Sequence, residues 1–258
     1  MVSKAKIKWI RSLEMKKNRD REQLFVAEGN KLVSELIGAL ACEWMLAEPS
    51  WMATQGHLPA RELEVAEEGD LRKVSLLKSP QQVLAVFRRP AAPVPEGADR
   101  DGQLMLALDG IQDPGNLGTI IRLADWFGIE HVVCSPDTAD AFGPKAVQST
   151  MGALARVGVH YTELESFLQG GTGPRYGAFA EGDSLYAHPL SSGGILIMGN
   201  EGNGIRPSVE ALIDRRLCIP SFPASRTGAG AESLNVAVAT GIICAEFRRP
   251  QKKTYSAE

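Results

Sequence analysis

Apolar residues along the chain fall into short runs separated by mixed stretches, and their rhythm changes near residue 90. In the first 22 residues Ile7, Trp9, Ile10 and Leu13 lie between cations, a spacing that predicts an amphipathic helix with a basic outer face. A short strand is predicted over 24–29, a helix over 31–40 and a second strand over 44–47, an alternation that implies a small α/β domain. Beyond residue 102 the parts lengthen. A buried strand is predicted over 104–108, a Gly/Pro/Asn loop over 109–118, a helix over 119–127 and a strand over 131–135. Further apolar strands are predicted over 176–180, 195–198 and 217–219, with a final helix over 233–247. Near-continuous apolar strands separated by helices point to a mostly parallel sheet with helices on both faces. Ligands of such sheets bind at the carboxyl ends of the strands, which directs attention to the loops 109–118, 199–207 and 220–232.

The boundary between the two rhythms is RPAAPVPEGADRDG, from Arg89 to Gly102, where Pro90, Pro93 and Pro95 remove backbone donors. The division expected from it is a small α/β domain over 1–92, a linker over 93–102 and a larger α/β domain over 103–258. Composition suits this: 258 residues, 44% of them hydrophobic, form a globular chain. A net charge of −3 argues at first against a nucleic-acid partner, but the charge is unevenly placed. Residues 1–22 carry eight cations, Lys4, Lys6, Lys8, Arg11, Lys16, Lys17, Arg19 and Arg21, against Glu14, Asp20 and Glu22, a balance of +5. Such a run is either a solvated helix face or an RNA-binding surface.

Other function classes recede. Cys42, Cys134, Cys218 and Cys244 form no CxxC pair, and His57, His131, His160 and His188 show no HxxxH spacing, so neither a disulfide framework nor a metal site is expected. No apolar run approaches the ~20 residues that span a bilayer, and the basic N-terminus lacks a signal-peptide core, so a cytoplasmic protein is expected.

Two glycine-rich loops stand out. Gly199-Asn-Glu-Gly-Asn-Gly204 follows a strand, but its GxxGxG spacing is not the GxGxxG of dinucleotide-binding proteins, and no Walker lysine follows. Residues 109–118, DGIQDPGNLG, place Asn116 near a helix N-terminus. Each loop alone is equally a tight turn. In order along the chain, LALDGIQDPGNLGTIIRLADWFGI, LIMGNEGNGI and IP followed by ESLNVAVATGIICAEF resemble the three motifs of the SpoU-type ribose 2′-O-methyltransferases of the SPOUT superfamily. KIKWIRSLEMKKNRDREQLFVAEGNKLVSELI resembles the start of the substrate-binding domain that precedes the catalytic domain in many SpoU proteins.

This resemblance implies a trefoil-knotted α/β methyltransferase domain, S-adenosylmethionine as cofactor, RNA as substrate and a homodimer. It further implies that Asn116, Arg122, Glu201, Ser233 and Asn235 serve the reaction. The cofactor would be held by Met198, Gly199, Gly202, Ile219, Pro220 and Leu234. RNA would meet the basic segment at Lys6, Arg11, Lys16, Lys17 and Arg19. The target implied is a ribose 2′-hydroxyl, of a guanosine in ribosomal RNA. The residues 221–231, SFPASRTGAGA, are longer than the family pattern and form either a lid over the cofactor or a tolerated insertion.

Methyl transfer from a sulfonium to a hydroxyl oxygen is an in-line displacement, so the protein's task is alignment. A guanidinium is a poor candidate for losing a proton. Arg122 is therefore expected to clamp a phosphate and hydrogen-bond the ribose oxygen as charge develops. The plainer alternative pairs it with Asp125 on the same helix. Glu201 either orients Asn and Arg side chains or caps its loop, and Ser233 is a candidate cap for the final helix with Asn235 in its first turn. Two other functions compete: a catalytically silent knotted protein in RNA binding or ribosome assembly, and a tRNA ribose methyltransferase.

Overall fold

The computed structural model describes residues 2–91, 93–95, 102–187, 189–222 and 233–249. The N-terminal part begins with α1 (Lys4–Ser12) and α2 (Lys16–Glu22). These are two helices where the basic, amphipathic pattern predicts one. Ser3 caps α1 by accepting the Lys6 N–H, and Ile10 and Leu13 are fully buried. The chain breaks at 13–15 because the Arg19 guanidinium turns back and takes the carbonyls of Leu13 and Glu14, each at 2.7 Å. There follow β1 (Leu24–Glu28), α3 (Asn30–Leu36), β2 (Cys42–Ala47), α4 (Pro49–Met52), β3 (Leu63–Val65), α5 (Asp70–Val74) and β4 (Val83–Arg88). The strands form a sheet in the order β1-β4-β2-β3, with β4 antiparallel to both neighbours and β3 parallel to β2. Ile10, Leu13, Trp44, Leu46, Leu84 and Val86 form the core beneath one face.

The second part comprises β5 (Leu104–Asp109), α6 (Pro114–Trp126), β6 (His131–Cys134), α7 (Pro144–Thr150), β7 (Gly158–Tyr161), α8 (Leu164–Gln169), β8 (Arg175–Phe179) and β9 (Asp183–Ser184). It continues with β10 (Gly194–Gly199), α9 (Pro207–Glu210), β11 (Arg215–Cys218) and α10 (Val236–Phe247). The sheet order is β7-β6-β5-β10-β8-β11-β9, and the registered pairs from β6 to β9 are all parallel. Every residue of β5 is buried, as are five of the six in β10, which accounts for the unbroken apolar runs in the sequence. Ile195 and Ile197 pack with Leu164, Leu168 and Val209 into one core.

Packing and covalent order divide the chain differently. The compact unit built on the small sheet also takes in residues 113–122 and 140–158, while the other unit holds 93–112, 123–139 and everything from 159 onward. Within the first unit Gln148 donates to the Glu28 carbonyl at 2.8 Å, and the Phe142 ring lies 5.4 Å from that of Phe25.

Two element starts differ from expectation. α6 begins at Pro114, one turn early, because Asp113 accepts the Asn116 N–H at 2.9 Å and so caps the helix ahead of the glycines. α10 begins at Val236, and its cap is Asn235, whose side-chain oxygen accepts the N–H groups of Ala237 and Val238 at 2.9 and 3.3 Å. Ser233 stands outside the helix and does not cap it. Of the inserted segment, residues 223–231 lie outside the described residues, as does the linker over 96–101.

Candidate active site

The larger sheet gathers its chemistry where the parallel strands β5 and β10 end side by side, Asp109 in register with Gly199. The chain then turns through residues 200–205. Asn200 opens the turn: its Nδ2 donates to the Gly110 carbonyl at 2.7 Å, and its Oδ1 accepts the N–H groups of Gly202 and Asn203, both at 2.9 Å. Asn200 and Gly204 also exchange two backbone hydrogen bonds, at 2.9 and 3.0 Å. Gly199 is required by this closure. A Cβ there would run into the carbonyl carbon of Gly204 and the nitrogen of Ile205, and would lie 2.7 Å from the Gly204 oxygen.

The turn ends on an ion pair. Arg206 donates its backbone N–H to Asp109 Oδ2 at 2.7 Å and its Nε to Oδ1 at 2.6 Å, and its Nη2 reaches Asp137 Oδ1 at 3.0 Å. The Asp109 side chain has no solvent exposure, whereas that of Arg206 is 45% exposed. The two acids hold the guanidinium pKa above its ordinary value, Asp109 first by its hydrogen bond. The Ser135 hydroxyl, then the peptide N–H of Asp137 itself and Arg206, hold the Asp137 carboxyl below the usual range. The Glu201 carboxylate accepts the Gln112 N–H at 3.2 Å, joining the turn to the loop after β5.

Of the residues expected to hold the cofactor, Gly199 and Gly202 lie in this turn and Met198 just before it. The Met198 side chain is buried in the sheet, so only its peptide group is available. Ile219 and Pro220 are half-buried beyond the end of β11, and the Leu234 side chain is 50% exposed.

In the other compact unit, Asn116 lies in the first turn of α6 and Arg122 two turns on. Asp113, which caps that helix, is paired with Lys145 at 2.5 Å, and this hydrogen bond holds its carboxyl below the usual range. α6 lies against α7 at Gly118, where a Cβ would meet the Ala146 carbonyl and the Ser149 side chain. Arg122 is exposed, and its side chain forms no ion pair or hydrogen bond among the described residues, so the alternative pairing with Asp125 is set aside.

The basic segment needs one correction. Arg19 is not available to phosphate: it is buried, binds two carbonyls and pairs with Asp140 at 2.6 Å, so its charge holds the fold together. Lys6 is half-committed, paired with Glu62 at 2.6 Å and lying 5.2 Å from the Trp9 ring centre. Arg11, Lys16 and Lys17 are exposed. No group of His, Cys, Asp and Glu suited to a metal ion occurs among the described residues, and no helix among them is long and apolar enough to cross a membrane.

Asp109, Asp137, Asn200 and Arg206 were not legible as site residues. The one available signal is Asp109, an acid closing the apolar strand sequence LMLAL.

Residues 103–245 match the SpoU rRNA Methylase family, and residues 4–85 match the MRM3-like substrate binding domain. The chain is 31% identical to the 23S rRNA (guanosine(2553)-2′-O)-methyltransferase RlmP of Bacillus subtilis, over 94% of this chain and 96% of that one. Among solved structures, a TrmH-family protein from Porphyromonas gingivalis is 43% identical with a TM-score of 0.84, covering 96% of this chain and 98% of that one. The AdoMet-bound rRNA methyltransferase of Sinorhizobium meliloti is 30% identical with a TM-score of 0.77, covering 96% of each. With the family match spanning more than half of its length and a relative matched almost end to end, the chain belongs to the SpoU rRNA methylase family.

Proposed function

We propose that this protein transfers the methyl group of S-adenosylmethionine to the 2′-hydroxyl of a guanosine ribose in 23S ribosomal RNA. One observation carries the proposal: the family match falls on a turn at the carboxyl ends of β5 and β10 that is closed by Gly199 and Asn200 and locked at both ends. The near end-to-end relative RlmP is named for this reaction on a 23S guanosine, and the S. meliloti relative carries AdoMet.

The residues present fit that cofactor. The peptide groups of 199–204, the half-buried Ile219 and Pro220 and the exposed Leu234 offer neutral hydrogen-bonding groups and apolar surface, as a nucleoside requires. The exposed Glu201 adds a negative charge suited to a sulfonium. When bound, S-adenosylmethionine supplies an activated methyl group. Gly199, Gly202, Ile219, Pro220 and Leu234 bind and orient it, with Met198 contributing its peptide group. Arg122 clamps an RNA phosphate and donates a hydrogen bond to the ribose oxygen as negative charge grows there with the loss of the hydroxyl proton to water. Asn116 orients Arg122. Asn235, whose side-chain oxygen caps α10, is the second asparagine assigned to the substrate. Ser233, two residues before it, is a further hydroxyl donor.

The N-terminal domain, residues 1–92, grips RNA through Arg11, Lys16 and Lys17, with Lys6 at the margin, and 93–102 joins it to the catalytic domain. The protein works in the cytoplasm as a homodimer. Trp126, 83% exposed at the end of α6, and Val238 on α10 are large apolar side chains suited to cover by a second copy. The trefoil knot is carried over from the family, and the strand order β5-β10-β8-β11, with a late strand between earlier ones, is compatible with it.

Purified protein incubated with methyl-labelled S-adenosylmethionine and ribosomal RNA from cells lacking the gene tests the activity. Label on a guanosine ribose is expected. Label on transfer RNA alone would move the substrate, and no label despite RNA binding would favour the silent assembly protein.

A further inference from the structure

The turn over 200–205 is short and exposed at 201–204, with Ile205 buried at its end, and its two ends are fixed by different means. The entry is held by Asn200, through neutral hydrogen bonds to Gly110, Gly202 and Asn203. The exit is held by charge. Arg206 spends its backbone N–H and its Nε on Asp109 and brings Nη2 within 2.5 Å of Asp109 Oδ1 and 3.0 Å of Asp137 Oδ1. Ser208, two residues on, donates to Glu165 at 2.6 Å. The exit is thus tied to the end of β5, to the loop after β6 and to α8.

Stability alone is a poor account of this choice. A carboxylate with no solvent exposure at the end of an apolar strand costs more to desolvate than its pairing recovers in many proteins, and an apolar side chain would hold the strand as well. What an apolar side chain cannot do is fix the direction of the chain leaving the turn. The planar guanidinium can, because its donors bind two acids at set angles while the peptide N–H binds one of the same acids.

We infer that Arg206, held by Asp109 and Asp137, is the positioning residue of the cofactor-binding turn, setting the orientation of the peptide groups of 200–205 toward S-adenosylmethionine. The inference rests on the proposal that this turn holds that cofactor. Arg206 does not take part in methyl transfer. Its loss misaligns a binding surface, so the effect falls on cofactor affinity and KM while kcat at saturation is retained.

The test uses the full chain, with calorimetric titration of S-adenosylmethionine, steady-state kinetics on ribosomal RNA and thermal unfolding of the same preparations. Arg206→Lys, which keeps the charge and loses the fork, is expected to raise the cofactor Kd and KM about 10-fold or more, with kcat within about 2-fold of wild type. Arg206→Ala is expected to do more. Asp137→Asn removes only the exposed acid and is expected to raise KM about 2- to 3-fold in the same direction. Should Arg206→Ala fail to fold, the lysine and asparagine variants carry the test. Unchanged Kd and KM in Arg206→Lys, with or without a lower Tm, would overturn the inference and leave the function standing. A lowered kcat at unchanged KM would also overturn it. If the wild-type protein itself binds no S-adenosylmethionine, the proposed function fails and the inference with it.

Discussion

Replacing Gly199 by Ala places one methyl group where the returning chain already lies. The new Cβ would meet backbone at Gly204 and Ile205, with the Gly204 oxygen at 2.7 Å, whereas carbon contacts are comfortable at about 3.5–4.0 Å. Backbone cannot rotate out of the way as a side-chain tip does, so residues 204–205 must move outward by about 1 Å. That displacement strains or breaks the two Asn200–Gly204 backbone bonds and pulls on the Arg206 N–H to Asp109. Overpacking costs about 1–3 kcal/mol and two hydrogen bonds about 1 kcal/mol each, so the turn loses about 3–5 kcal/mol of preference for its native shape. Residues 201–204 are exposed, so the turn can open without unfolding the sheet, and the cost appears in binding. At about 1.4 kcal/mol per decade, S-adenosylmethionine affinity should fall at least about 100-fold by calorimetry. The Tm should fall by only a few degrees, well short of the shift that the same energy would cause if it fell on global stability, about 2–4 °C per kcal/mol at this size. An alanine variant that binds S-adenosylmethionine within about threefold of wild type would refute the placement of the cofactor in this turn.

Arg122→Lys keeps the charge on α6 but not the two-pronged donor, and kcat should fall about 10²- to 10³-fold while cofactor affinity is unchanged; near wild-type turnover would remove any role that needs the guanidinium. Asn235→Ala loses the α10 cap and should cost about 1 kcal/mol, read as a Tm lower by about 2–4 °C. Asn235→Asp keeps the capping oxygen and loses the amide N–H, so it should turn over poorly; wild-type turnover would make the residue a cap only. Replacing Arg11, Lys16 and Lys17 together by Gln should weaken RNA binding and reduce the slope of log affinity against log salt by about 2–3, as measured by titration at several salt concentrations. Deleting residues 1–22 would not make the same test, because Ile10 and Leu13 are fully buried and Arg19 is part of the fold.

The parallel sheet was readable from the sequence because β5 and β10 are buried on both sides, which turns strands into unbroken apolar runs. β3 was not, since Leu63 and Val65 are exposed and three residues carry no usable period. Helix starts were misplaced where a cap overrode composition: Asp113 starts α6 before two glycines, and Asn235 takes the role expected of Ser233. The glycine-rich turn was visible as a motif because a forced glycine leaves a mark in sequence. Its latch was not, because Asp109 and Arg206 stand 97 residues apart and a charge does not name its partner. The same blindness put Arg19 on the RNA side: a buried cation and a solvated one look alike in a basic run until Asp140, 121 residues away, is seen beside it. The net charge of −3 therefore hides both an exposed basic surface and a cation spent on the fold.

The central claim is that this chain places one methyl group on a ribose of ribosomal RNA, and the most direct measurement is a ribose-methylation map of total RNA from cells with and without the gene. Loss of a single 2′-O-methylguanosine from 23S RNA, restored by the wild-type gene and not by one carrying Arg122→Ala, is the predicted result. A map that keeps every 2′-O-methyl site when the gene is absent would contradict it.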